Sequence, residues 1–190
     1  MKRNGKATGL RPDFCFSRAI DIHPDWLQSL GIKGLLLDID NTITRWERQV
    51  VPPEELSWLN EIQSAGIACR LLSNGLARKK ALVAKQTGIP HVSGYYIKPL
   101  RRSFRQGLKD LGLPGAQVLM VGDSVVTDII AANLAGLWTA LVEPLSPVDF
   151  MGSKLYRLIE HLLRLRQAII PAQDFRGKKS AASSGTSAPA

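Results

Sequence analysis

The sequence predicts an α/β fold in which helices cover both faces of a doubly wound parallel sheet. The first observation is that short apolar runs alternate with amphipathic, helix-length patterns along the 190 residues. The second is that prolines and glycines separate these segments where helices are expected to begin and end. Strands that alternate with helices are joined by right-handed crossovers, which makes the sheet parallel. Ligands of such folds bind beyond the carboxyl ends of the strands.

Each predicted strand is a short apolar run bounded by turn residues. The predicted strands span residues 33–39, 67–73, a short stretch within 91–96, 117–123 and 137–142. The first helix begins on Pro52 and Pro53 and ends at Gly66, and the second ends at Gly88. The predicted helices span residues 52–66, 76–88, 100–112, 125–136 and about 153–168. The last helix is amphipathic, and core packing is favoured over membrane binding for it.

We expect one domain over residues 15–170, because the chain is long enough for a single buried core. Residues 1–14 are predicted to form a flexible basic arm, and the polar, Ser/Gly/Pro-rich residues 171–190 a disordered tail. No apolar run approaches the roughly 18 residues of a membrane span, and the N-terminus lacks the apolar segment of a signal peptide. Cys15 and Cys69 are far apart and form no CxxC pair. These features favour a cytoplasmic protein.

The net charge of +9 is unevenly distributed along the chain. Residues 1–20 contribute +4 and residues 151–190 contribute +5, so the middle is neutral overall. Within that middle, the segment from Ile62 to Lys109 holds ten Lys or Arg and no Asp or Glu. Solvated helix faces explain most such runs, whereas a polyanionic substrate or an anionic membrane surface is the functional alternative.

Polar residues follow the predicted strands where each strand ends. Asp38 and Asp40 interrupt the first apolar run, and burying an unpaired carboxylate is too costly for the dry middle of a sheet. We therefore expect both carboxylates at the crevice beyond the strand. The other polar residues expected at the same edge are Ser73, Asn74, Lys98, Asp123 and Asp128.

Four short motifs resemble those of a known family. They are DIDNT at 38–42, LLSNG at 71–75, IKP at 97–99 and VGDSVVTD at 121–128. In order and spacing they resemble the motifs of the haloacid dehalogenase (HAD) phosphatase superfamily, and the resemblance covers about residues 14–165. Residues 21–44 and 122–142 are similar, more specifically, to the YqeG-type phosphatases of subfamily IIIA, which are related to phosphatidylglycerophosphate phosphatases. The resemblance implies a HAD-type Rossmann-like fold.

The resemblance also implies how the two carboxylates of the first motif divide the chemistry. Asp38 is the nucleophile in the family's pattern, and a carboxylate that attacks phosphorus splits hydrolysis into two easier steps. Asp40 would protonate the leaving oxygen and then deprotonate the attacking water, which typically contributes ~10²–10⁴-fold. Two carboxylates would repel a phosphate, so Mg²⁺ is the expected cofactor. Asp38, Asp123 and the backbone carbonyl of Asp40 would bind it, and Asp128 would act through water or by holding Lys98.

Positioning the phosphoryl group is the other requirement of the reaction. The Ser73 hydroxyl and the Asn74 backbone N–H are expected to donate hydrogen bonds to the phosphate, and Lys98 to supply positive charge. Thr42 is expected to orient the first motif. Alone, each residue has a structural alternative, such as a helix cap for Ser73 or a turn for Thr42. The joint pattern favours the catalytic interpretation.

Only 30 residues separate Thr42 from Ser73 and only 24 separate Ser73 from Lys98, which leaves no room for a cap domain. An uncapped site suits a large substrate. Two basic clusters are expected beside the site, and we include Arg78 and Arg101 among the phosphate-binding candidates. The clusters are Arg78, Lys79 and Lys80, and Arg101, Arg102 and Arg105.

Three functions are compatible with these features. The first is hydrolysis of phosphatidylglycerophosphate by a phosphatase at the cytoplasmic face of an anionic membrane. The second is a soluble phosphatase for a nucleotide or another small phosphate ester. The third is a non-catalytic nucleic-acid or ribosome-binding module, which would not require the complete motif set. Few aromatic residues are available for base stacking, so nucleic acid is disfavoured as a partner. The sequence indicates no oligomeric state.

Overall fold

Five short strands lie parallel in one sheet in the computed structural model, which describes residues 11–94 and 97–146. They are β1 (Phe14–Phe16), β2 (Gly34–Leu37), β3 (Ala68–Leu71), β4 (Val118–Gly122) and β5 (Trp138–Val142). Their order across the sheet is β1-β5-β4-β2-β3. The chain runs outwards from β2 to β3 and then crosses to β4 on the other side of β2. The strand order therefore reverses between β2 and β4, where such sheets open a crevice.

Helices cover both faces of the sheet. They are α1 (Pro24–Ser29), α2 (Pro53–Ser64), α3 (Ala77–Thr87), α4 (Arg101–Leu111) and α5 (Ala131–Leu134). Alternate residues of β2 point to opposite faces, so Leu35 and Leu37 belong to one apolar cluster and Leu36 to another. The first cluster includes Leu59 of α2, and the second includes Phe104 of α4. The result is a three-layer α/β/α arrangement.

The predicted doubly wound parallel fold is confirmed, and residues 11–94 and 97–146 form no cap domain. Each predicted strand at 33–39, 67–73, 117–123 and 137–142 contains one observed strand. Between β2 and β3 the chain forms a loop and α2, and from β3 to α4 the described residues add only α3 and loops. No helix within residues 11–94 and 97–146 is long and apolar enough to cross a bilayer.

The predicted strand within 91–96 is wrong for the residues that the structure describes there. Only His91 pairs with the sheet, through a single bridge to Leu71. Pro90 has no N–H to extend the pairing, and Gly94 turns the chain at a φ of 83°. The backbone N–H of Ser93 instead donates to the Asp110 carboxylate of α4, at 2.6 Å.

Residues 13 and 14, at the end of the predicted arm of residues 1–14, hydrogen-bond to the sheet. Phe14 lies in β1 and pairs with Ala140 of β5. The Asp13 N–H donates to the Thr139 carbonyl at 3.1 Å, and the Thr139 N–H donates to the Asp13 carboxylate at 2.9 Å. The pairing partners are 126 residues apart in the sequence. Local periodicity could not predict this strand, because its partner strand is so distant.

The predicted helix at 125–136 has two parts. Val125–Ile130 forms a π-helical turn, and Ala131–Leu134 continues as α5. Short 3₁₀ turns at Ala19–Asp21 and Gly115–Gln117, and helix α1, were not among the predicted elements. The predicted helix at 153–168 and tail at 171–190 lie outside the described residues, as do residues 1–10 of the arm.

Candidate active site

The carboxyl ends of β2, β3 and β4 bring most of the predicted polar residues to one edge of the sheet. Asp38 directly follows β2, Asp123 directly follows β4, and Ser73 lies two residues beyond β3. All three side chains are buried. Lys98 reaches the same edge from the loop before α4 and is also buried. The sheet topology therefore assembles the four sequence motifs at the strand-order reversal.

Lys98 is the central cation of this edge. Its Nζ donates to Asp38 Oδ1 at 2.5 Å and to Asp128 Oδ1 at 2.6 Å. Burial alone would lower the pKa of Lys98, but the Asp128 and Asp38 carboxylates raise it above its ordinary value. The lysine is therefore held as an ammonium between two acids.

Asp38 is held in an environment that is short of positive charge. Burial raises the pKa of its carboxyl well above the usual range, and the Lys98 ammonium opposes this rise only in part. The carboxylates of Asp128, Asp123 and Asp40 raise the pKa further. The hydroxyl of Thr42, the last residue of the first motif, donates to Asp38 Oδ2 at 3.4 Å.

Three of these acids are arranged as a metal ion would require. Asp38, Asp123 and Asp128 are all buried and each offers a carboxylate oxygen within 4.8 Å of the others. Lys98 supplies one positive charge against three carboxylates, so a divalent cation would neutralise the excess. Carboxylate oxygens are hard ligands of the kind that Mg²⁺ prefers. The donor set therefore fits a divalent cation, and the Asp40 side chain lies outside the set.

The turn after β4 positions Asp128. The Ser124 hydroxyl accepts from the Thr127 N–H at 3.4 Å, and the Ser124 N–H donates to Asp128 Oδ2 at 3.1 Å. Gly122 leaves the space that this carboxylate occupies, because a Cβ at position 122 would collide with it. Asp128 thus packs against the end of β4 and reaches Lys98 with its other oxygen.

Asn74 fixes the loop that presents Lys98. Its side-chain amide donates to the Lys98 carbonyl at 2.8 Å, and its side-chain oxygen accepts from the Lys98 N–H at 2.8 Å. This paired contact joins the residues after β3 to the loop before α4. The sequence assigned Asn74 a phosphate contact through its backbone N–H, and the structure adds this contact of its side chain.

Asp40 faces different partners from Asp38. Its Oδ2 accepts from the Ser73 hydroxyl at 3.2 Å, and its Oδ1 lies 2.6 Å from Lys79 Nζ. Ser73 Oγ also accepts from the Gly75 N–H at 2.9 Å. A Cβ at position 75 would lie 2.5 Å from Asp40 Oδ2, so glycine is required for this close approach. The two acids of the first motif therefore have separate hydrogen-bond environments.

Lys79 corrects one sequence interpretation. The sequence placed it in a surface cluster with Arg78 and Lys80, but Lys79 is only 6% exposed. Its Nζ pairs with Asp40 and donates to the carbonyls of Arg45 and Trp46 at 2.8 and 2.9 Å. The ammonium also lies 5.5 Å from the centre of a Trp46 ring. Lys79 therefore joins Asp40 to the loop at 41–51.

A signal for Lys79 was present in the sequence. The buried residues of α3 are Lys79, Val83 and Thr87, at a spacing of four. Residues four apart share one helix face, so the apolar Val83 indicated that Lys79 faces inwards. Two of the predicted phosphate-binding candidates, Arg78 and Arg101, are exposed in the first turns of α3 and α4. No contact of either with the acids of the site is seen in residues 11–94 and 97–146.

Fold and site together place paired aspartates and a lysine at the strand-order reversal of a Rossmann-like sheet. A family model described as haloacid dehalogenase-like hydrolase matches residues 47–136. That segment contains Ser73, Lys98, Asp123 and Asp128, and it begins after the first motif.

Two sequence relatives and one solved structure extend this match. The probable phosphatase YqeG of Bacillus subtilis is 28% identical over 149 residues, which cover 78% of this chain and 86% of that protein. A chloroplastic and mitochondrial phosphatidylglycerophosphate phosphatase 1 of Arabidopsis thaliana is 31% identical over 163 residues, which cover 77% of this chain. The match spans only 46% of the plant protein's length.

The solved structure is the cobalt-bound deoxy-D-mannose-octulosonate 8-phosphate phosphatase of Haemophilus influenzae. It matches with a TM-score of 0.51 and 14% identity, over 73% of this chain and 91% of that one, and this likeness concerns the fold alone. Over residues 47–136 the chain is therefore similar to the haloacid dehalogenase-like hydrolases, and its sequence relatives are named as phosphatases. Its phosphatase relatives support its assignment as a phosphoric monoester hydrolase.

Proposed function

We propose that this chain is a Mg²⁺-dependent phosphatase that hydrolyses phosphatidylglycerophosphate through an aspartyl-phosphate on Asp38. The observation that supports it most is the buried cluster of Asp38, Asp123, Asp128 and Lys98 at the strand-order reversal. A structural cluster of this kind would cost more than it contributes, because buried charges lose their hydration. A catalytic role explains why three acids share so little space.

In the proposed reaction an oxygen of Asp38 attacks phosphorus, and the ester oxygen of the substrate leaves. Lys98 holds the other Asp38 oxygen at 2.5 Å and so fixes the direction of attack. Water then attacks the phosphorus of the aspartyl-phosphate, which releases inorganic phosphate and restores the Asp38 carboxylate. Splitting hydrolysis in this way lowers each barrier.

Asp40 is the proposed acid and base of the two steps. It gives a proton to the leaving alkoxide and later removes one from the attacking water. Its contacts with Ser73 and Lys79, on residues after β3, keep it apart from the three-acid cluster. We propose that Ser73, Asn74, Thr42 and Lys98 position the phosphoryl oxygens, and that Arg78 and Arg101 attract the phosphate from outside.

Asp38, Asp123 and Asp128 would hold Mg²⁺, together with the backbone carbonyl of Asp40. When bound, the ion would neutralise phosphoryl oxygens and lower the repulsion between the substrate and the acids. The protein's own contribution is to bury these carboxylates and to balance one of them with Lys98. Asp128 would act on the ion directly or through water while it holds Lys98.

The phospholipid substrate is supported by the relatives rather than by a bound ligand. A relative named for phosphatidylglycerophosphate is 31% identical, although the match spans less than half of that protein. The described residues beside the site hold no cap domain that would enclose a small substrate. We place this activity in the cytoplasm, at the cytoplasmic face of the membrane.

A substrate panel tests the proposal. Purified protein would be given vesicle-borne and detergent-dispersed phosphatidylglycerophosphate, nucleoside monophosphates, sugar phosphates and a chromogenic phosphate, with and without Mg²⁺. We expect Mg²⁺-dependent release of phosphate with phosphatidylglycerophosphate as the preferred substrate. Preference for a nucleotide would support the small-molecule alternative. Binding of RNA without any hydrolysis would support the non-catalytic alternative.

A further inference from the structure

Large apolar side chains are exposed beside the candidate active site. Leu76, Ile97 and Leu100 are 70%, 62% and 58% exposed. Among the described residues only Val50 and Leu134 join them as exposed large hydrophobic side chains. We call Leu76, Ile97 and Leu100 the apolar rim. Single exposed apolar residues are ordinary, but three on one rim indicate a binding surface.

The contact between Asn74 and Lys98 brings the members of the apolar rim together. Leu76 lies two residues after Asn74 and directly precedes α3. Ile97 and Leu100 flank Lys98 within two residues, and Leu100 directly precedes α4. Because Asn74 makes two 2.8 Å hydrogen bonds to the Lys98 backbone, both segments lie at the same side of the site.

Exposed arginines surround the apolar rim. Arg78 lies in the first turn of α3, and Arg101 and Arg102 in the first turn of α4. The sequence from Ile62 to Lys109 contains no acidic residue that could offset them. The surface thus combines aliphatic side chains with positive charge, which suits apolar chains below anionic headgroups.

We infer that the apolar rim and its arginines dock the active edge of the sheet on an anionic lipid bilayer. Leu76, Ile97 and Leu100 enter the boundary between headgroups and acyl chains, and the arginines contact anionic headgroups. The site then faces the membrane, and a phosphate on a lipid headgroup reaches Asp38 without leaving the bilayer. This inference rests on the proposed function, since it names the surface on which that substrate is presented.

Vesicle binding tests the docking surface without any need for turnover. Full-length protein would be mixed with vesicles of phosphatidylcholine, with and without phosphatidylglycerol, and the bound fraction measured by sedimentation at low and high salt. The test variants are Leu76→Gln/Leu100→Gln and Arg78→Gln/Arg101→Gln. Leu134→Gln is the matched control. Leu134 is 52% exposed at the end of α5, where the chain returns to the amino end of β5 and away from the active site.

We expect the unaltered protein to bind only vesicles that contain phosphatidylglycerol. The double leucine variant should bind at least roughly tenfold less at either salt concentration, because each lost methylene contact weakens insertion. The double arginine variant should lose roughly 30-fold at low salt and less at high salt. The control should bind like the unaltered protein, and both the control and the double leucine variant should hydrolyse the chromogenic phosphate at a kcat comparable to that of the unaltered protein.

Three results would overturn the inference: no vesicle binding by the unaltered protein, an equal loss in the Leu134 control, or a loss in the arginine variant alone. The last would indicate electrostatic attraction to anionic headgroups without insertion of the apolar rim. Hydrolysis of detergent-dispersed phosphatidylglycerophosphate without vesicle binding would overturn the docking surface and leave the proposed function intact. Vesicle binding without hydrolysis of phosphatidylglycerophosphate would support the docking surface and overturn the proposed function.

Discussion

Replacing Lys79 with methionine tests whether the active edge depends on a buried ammonium. Methionine keeps most of the aliphatic stem but removes the charge. The change leaves the carbonyls of Arg45 and Trp46 without their donor, and the Asp40 carboxylate without its cation. Asp40 keeps its Ser73 hydrogen bond. We expect the loop at 41–51 to loosen from α3 as a result.

The size of the effect follows from these contacts. Removing one partner of a fully buried ion pair costs about 3–5 kcal/mol. The Asp40 side chain is 17% exposed and can recover some hydration, which reduces the cost. Each carbonyl that loses its donor adds about 1 kcal/mol, although the losses overlap. We expect the free energy of unfolding to fall by about 2–4 kcal/mol, or a Tm lower by roughly 5–15 °C.

Urea unfolding followed by circular dichroism would measure this loss. Lys80→Met is the matched control, because Lys80 is the next residue and is only half-buried, and it should change stability by less than about 0.5 kcal/mol. In an Asp40→Asn background the Lys79→Met change should cost less, which gives a coupling energy of about 1–3 kcal/mol. Equal stability of the two lysine variants, or a coupling energy near zero, would refute the pairing of Lys79 with Asp40.

Other perturbations give separate outcomes. Asp123→Asn should raise the Mg²⁺ concentration needed for half-maximal activity by at least about tenfold, as measured by metal titration, and an unchanged requirement would argue against Asp123 as a ligand. Gly75→Ala should displace Asp40 and slow an alkyl phosphate by up to about 10²-fold, with less effect on a dinitrophenyl phosphate whose leaving group needs no acid. Burial, assisted by the Lys80 charge, lowers the pKa of His91, so the unfolded state binds its proton more readily and stability should fall as the pH drops below about 6.5. In His91→Gln the urea midpoint should depend less on pH between pH 7.5 and 5.5. An unchanged pH dependence in this variant would mean that other groups cause the loss of stability.

The architecture and the motif residues could be predicted from the sequence because their signals are local. The strand before Asp38 is a continuous apolar run that ends in polar residues, and the same holds for the strand before Asp123. Parallel strands present their carboxyl ends at one edge, so knowing where each strand ends was enough to gather the acids. The contact between Lys98 and Asp128 follows because both residues lie at this edge.

Features that depend on distant partners could not be predicted in the same way. β1 is three residues long and owes its pairing to β5 near the other end of the described chain. Lys79 was misplaced because a run of three basic residues is typical of a surface, although its spacing of four from the apolar Val83 indicated an inward-facing position. Its burial depends on carbonyls from the loop at 41–51 and on Asp40, which the sequence places 33 residues or more away. The two hydrogen bonds from Asn74 to the Lys98 backbone are equally non-local.

Trapping the covalent intermediate on Asp38 would test the proposed mechanism most directly. Acid quenching during turnover, followed by borohydride reduction, converts an aspartyl-phosphate into homoserine, and trypsin releases Asp38 in the peptide of residues 34–45. We expect mass spectrometry to place homoserine at position 38 only when substrate and Mg²⁺ are present. Asp38→Asn should show no modification and should lose at least about 10³-fold in kcat. Homoserine at position 40, or an active Asp38→Asn variant, would contradict the assignment of Asp38 as the nucleophile.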